Sequence, residues 1–85
     1  MTREELKNLI QEAVPGKELY FTFRHDAVRV ALGYVDRIDD LPVYDVEVEA
    51  EITNLLQLLG FQYKVKNCMN QGNKYIRIDV QWKES

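Results

Sequence analysis

The sequence has one cysteine, Cys68, and one histidine, His25. An internal disulfide is therefore excluded, and so is the set of paired Cys and His ligands that a structural zinc ion requires. No apolar run reaches the ~18 residues of a membrane span. The stretch from Met1 to Ile10 is charged and amphipathic where a signal peptide carries an apolar core. A soluble, cytoplasmic protein is expected. Glycine and proline are scarce, at four and two of 85 residues, which excludes collagen-like and low-complexity chains. The glycines form no phosphate-cradling loop, no segment has the His/Glu pattern of a metal helix, and no carboxylate pair stands in a catalytic setting. The expectation is a protein without enzymatic activity, cofactor, metal or small-molecule substrate.

What is present describes one small domain, residues 1–85, since so short a chain has volume for a single apolar core. Hydrophobic residues make up 46% and charged residues 29%, and with no covalent staple that core must hold the fold alone. Thr2 and Glu5 have the spacing of a capping box, so a helix begins there. Leu6, Leu9, Ile10 and Ala13 form its apolar stripe, and Pro15 and Gly16 end it. The stripe recurs as Ile52, Leu55, Leu56 and Leu59, closed by Gly60.

An alternating segment follows each helix: Leu19, Phe21 and Phe23 in the first case, Phe61, Tyr63 and Val65 in the second. A further strand follows in both, carrying Val28, Val30, Leu32 and Tyr34, then Ile76, Ile78, Val80 and Trp82. The chain therefore reads as a pseudo-repeat of two αββ units, residues 1–36 and 48–85, joined by an acidic connection over 36–47. A two-residue turn at His25 and Asp26 sets Phe23 opposite Val28, Phe21 opposite Val30 and Leu19 opposite Leu32, so every apolar residue lies on one face. Val43 to Ala50 alternates like a strand, whereas the repeat favours helix from about Val48. The fold class is α+β: a four-stranded antiparallel sheet with both helices packed on one face.

Charge is unevenly spread. Residues 36–51 hold seven acids and one base, whereas 61–83 hold five bases and one acid, Asp79. The outward sheet face gathers Tyr20, Arg24, Arg29, Lys64, Lys66, Tyr75 and Arg77, cations for phosphates and rings for bases, as a face binding single-stranded RNA or DNA requires. Ala31, Gly33 and Val35 share that face and offer water little to solvate, which points to cover by a protein partner, itself or another chain. The acids Asp39, Asp40, Asp45, Glu47 and Glu51 form a third surface, able to imitate phosphates as small inhibitors of phages and mobile elements do.

The remaining constellations have plainer roles. His25 and Asp26 make a turn and Cys68 falls in a polar loop over 67–73, although together they have the residue types of a nucleophile, base and orienting acid. Asp36, Asp39, Asp40 and Asp45 lack the glycine and terminal glutamate of a calcium loop. The leading expectation is a small protein-binding module, an accessory or inhibitory factor. Nucleic-acid binding by the sheet and nucleic-acid mimicry by the acids follow it.

Overall fold

The capping box forms as its spacing predicts. Glu5 N–H donates to Thr2 Oγ1 and Thr2 N–H to Glu5 Oε1, each at 3.1 Å. Those two bonds satisfy N–H groups that the first helical turn leaves open. The computed structural model describes residues 1–32, 46–70 and 73–83. Its elements are α1 (Arg3–Ala13), β1 (Tyr20–Phe23), β2 (Ala27–Leu32), α2 (Val46–Leu59), β3 (Tyr63–Asn70) and β4 (Asn73–Gln81). Helix, strand, strand thus occurs twice in succession.

The second helix ends as the sequence predicts, on Gly60 at φ +82°. In this left-handed conformation Gly60 N–H donates to the Gln57 carbonyl at 3.1 Å and Phe61 N–H to the Leu56 carbonyl at 3.0 Å. That bond pair is the Schellman cap, and it turns the chain directly into β3. α2 begins at Val46, which decides between helix and strand for the described part of 43–50 in favour of helix. A strand would have placed Val46 and Val48 on one buried face. Instead Val48, Ile52 and Leu56, spaced at four, are buried, while Val46 is 62% exposed.

The sheet is antiparallel throughout, in the order β1-β2-β4-β3. Phe23 pairs with Val28 and Phe21 with Val30, the register expected from a His25–Asp26 turn. Arg24 N–H donates to the Ala27 carbonyl at 2.8 Å and closes that turn. Both helices supply the core on one face: Leu6 and Ile10 from α1 with Val14 at its C-cap, and Val48, Ile52 and Leu56 from α2. They meet Val28, Val30, Leu32, Ile78, Val80 and Trp82 from the strands and the chain just beyond β4. Leu59, expected in the stripe, is exposed where the helix ends. One expectation is corrected. Cys68 lies inside β3, opposite Tyr75, because β3 runs on to Asn70 and the polar Asn67 does not break the strand.

No helix among the described residues is long and apolar enough to cross a membrane.

Candidate functional site

With both helices on one side, the other side of the sheet is an open face, and register fixes its layout. Tyr20, Ala31, Arg77 and Lys66 form one row across the four strands, and Thr22, Arg29, Asp79 and Lys64 form the next. Beyond them, Cys68 pairs with Tyr75.

Asp79 organises these rows. Its Oδ1 is 2.8 Å from Arg77 Nε, and Arg77 Nη2 donates to Oδ2 at 3.1 Å. Lys66 Nζ lies 3.4 Å from Oδ2, and Arg29 Nε 3.8 Å from Oδ1. Three cations from three strands therefore converge on a carboxylate whose side chain is 15% exposed. Burial opposes the charge on Arg77, but the hydrogen bond and charge of Asp79 outweigh it and raise the guanidinium above its ordinary value. The face holds Arg29 and Arg77 in place rather than leaving them to solvent.

Asp79 is the one acid among the bases of 61–83, and charge counting alone assigns it no role. A usable signal was there: Arg77 and Asp79 are two apart on a strand, and so share a face.

The other face residues divide by what holds them. The Tyr20 hydroxyl donates to Glu18 Oε1 at 2.9 Å, which sets an acid beside that ring. Tyr75 is half-buried, and burial, then its hydrogen bond to Cys68, push its hydroxyl above the usual tyrosine value. Arg24 and Lys64 are exposed, and Lys66 is 49% exposed although paired. Ala31 is half-buried between Tyr20 and Arg77. Its expected companions Gly33 and Val35 lie outside the described residues, as do Asp39, Asp40 and Asp45 of the acidic surface. Glu47 and Glu51 are exposed on α2, one helical turn apart.

The nucleophile constellation is not assembled. The His25–Asp26 turn lies beyond the row of Val28, Val80 and Tyr63, whereas Cys68 is five residues along β3 from Tyr63, about 17 Å at strand rise. Among the described residues no three of His, Cys, Asp and Glu converge as metal ligands. Compared with protein-family models, curated proteins and solved structures, the chain matches none.

Proposed function

We propose that the protein is a non-enzymatic binding module that works through the open sheet face, docking an acidic surface of a partner protein. The observation that carries this reading is the convergence of Arg29, Lys66 and Arg77 on Asp79, with Lys64 paired opposite it and Arg24 just past the end of β1, in a chain of net charge −3. The helix layer is the reverse: Glu4, Glu5, Glu12, Glu47, Glu49 and Glu51 lie on the helices, with Arg3 and Lys7 as their bases. Such a dipolar molecule approaches an acidic surface sheet first.

A second reading, single-stranded nucleic acid on the same face, is favoured by Tyr20 in the row of Ala31 and Arg77 and by Tyr75 two residues along β4 from Arg77. Two features rank it second. Asp79 lies among the cations that a phosphate backbone would follow, and the net charge gives a polyanion no long-range attraction.

Partner capture with and without nuclease, comparing the natural chain with Arg24→Glu/Arg29→Glu, separates the two. A nuclease-resistant partner lost in the variant supports the first reading. A partner lost on nuclease treatment supports the second, and capture unchanged by the variant removes the face from both.

A further inference from the structure

Among the described residues, the two edge strands of the sheet, β1 and β3, differ in kind. β1 has four residues, and brevity is one way a sheet protects an edge from adding strands. β3 has eight. Gln81 N–H donates to the Gln62 carbonyl at 2.8 Å, and Trp82 N–H to the Asp26 carbonyl at 2.9 Å, so odd-numbered residues of β4 bond toward β3 and even-numbered ones toward β2. Antiparallel alternation then turns the N–H and C=O groups of Lys64, Lys66 and Cys68 toward β4, and those of Tyr63, Val65, Asn67 and Met69 away from it. The side chains of these last four residues lie on the helix side, opposite to the lysines. Val65 is 42% exposed and Met69 66% exposed, two apolar side chains that the helices leave uncovered.

We propose that the outer edge of β3 is the docking site for an extended segment of a partner protein in which acidic and apolar residues alternate. This rests on the protein-binding reading above and names the chemistry of the partner. An antiparallel strand laid along β3 makes hydrogen-bonded pairs with Val65, Asn67 and Met69, so its residues at those positions face the helix side, where apolar ones cover Val65 and Met69. Its intervening residues stand opposite Lys64 and Lys66 in non-hydrogen-bonded pairs, with Cα atoms about 4.5 Å apart and side chains at their closest. Acids there meet two cations. A second copy of β3 fits less well. Antiparallel pairing about Val65 sets Lys64 of one copy against Lys66 of the other, and pairing about Asn67 avoids that repulsion but gives no lysine an acid. Charge complementarity selects the acidic segment.

The probe is an acetylated, amidated octapeptide alternating Glu and Val, titrated into the full chain while backbone amide shifts are followed. Saturable binding is expected, with the largest shifts over residues 63–69 and little change in β1. N-methylation of the peptide's Val amides, which removes donors to β3, weakens binding at least tenfold. Val65→Glu has the same effect, and Met69→Thr, at the more exposed position, repeats it in a second variant. Lys7→Gln, whose ammonium lies over the Phe21 ring at the opposite edge of the sheet, changes the affinity less than twofold. Equal binding of the methylated peptide, no saturation below about 1 mM, or a natural chain that sediments as a dimer through β3 overturns the proposal. Methylated and unmethylated peptides bound alike, with both lost in Arg29→Gln, would remove the edge while leaving the open-face reading intact.

Discussion

Arg77 and Asp79, two residues apart on β4 and on one face of it, are joined by a contact of 2.8 Å from Nε to Oδ1, and through Asp79 the same pair ties in Arg29 from β2 and Lys66 from β3. One carboxylate thereby links three of the four strands. Two consequences of that pairing can be measured separately.

Asp79→Asn keeps the shape of the side chain and removes the charge, leaving three cations facing one another. A stability loss of about 1.5 to 3 kcal/mol is expected, the range for hydrogen bonds to charged groups. Part of the loss recovers in high salt, which screens the exposed Lys66 more than the arginines. Denaturant unfolding at two ionic strengths measures this, and a loss indifferent to salt contradicts it. Affinity for any acidic partner of the open face should rise in the same variant.

Gly60→Ala is expected to destabilise by about 1 to 2 kcal/mol, the cost of a Cβ in the left-handed region. A Cβ there meets nothing within 4 Å, so the penalty is conformational and not steric. Gly60→Asn, which tolerates that region better, should lose less. Equal losses from Ala and Asn in thermal unfolding would show that the backbone angle is not the cause.

The Thr2 backbone N–H, then its hydroxyl, hold the Glu5 carboxyl below its usual 4.5. A folded value lower than the unfolded one gives a contribution that is fully present above pH 4.5 and is lost as pH falls through the folded value. Melting temperatures followed from about pH 6 to pH 3 should therefore fall more steeply for the natural chain than for Glu5→Gln, the two curves converging in acid. Parallel curves would mean that the capping glutamate is not coupled to folding.

Cys68→Ser should retain the fold, because serine fills nearly the same space and can still pair with the Tyr75 hydroxyl across the strands. A fall in melting temperature of more than a few degrees, or loss of partner binding at unchanged stability, would assign the thiol a role.

The layers of this fold were legible because their signals are local. Thr2 with Glu5, the stripes at Leu6 and Ile52, Gly60, and the register across His25 and Asp26 depend on residues a few positions apart. What was missed depends on distance along the chain. Asn67, Cys68, Met69 and Asn70 have no alternation of their own, and only pairing with β4 makes them a strand. The hub at Asp79 needs β2, β3 and β4 side by side, an order that residue spacing does not encode. Val46 to Ala50 satisfies both periods locally, and the choice is made by burial of Val48, Ile52 and Leu56 against strands that lie elsewhere in the sequence.

One corner of the molecule gathers parts that are remote in sequence. Arg3 lies over the Trp82 ring at 5.4 Å and donates to the His25 carbonyl at 3.0 Å, while Phe61 stacks on the same ring at 5.6 Å. The start of α1, the tip of the first hairpin, the joint between α2 and β3 and the segment after β4 all meet at Trp82. Contacts of such sequence separation carry the largest loop-closure entropy and are made only when the intervening elements have condensed. Trp82 is also the only tryptophan. Its fluorescence therefore reports the arrival of the whole chain at its final topology, and an amide signal from α1 that recovered earlier in refolding would date the helix separately from its docking.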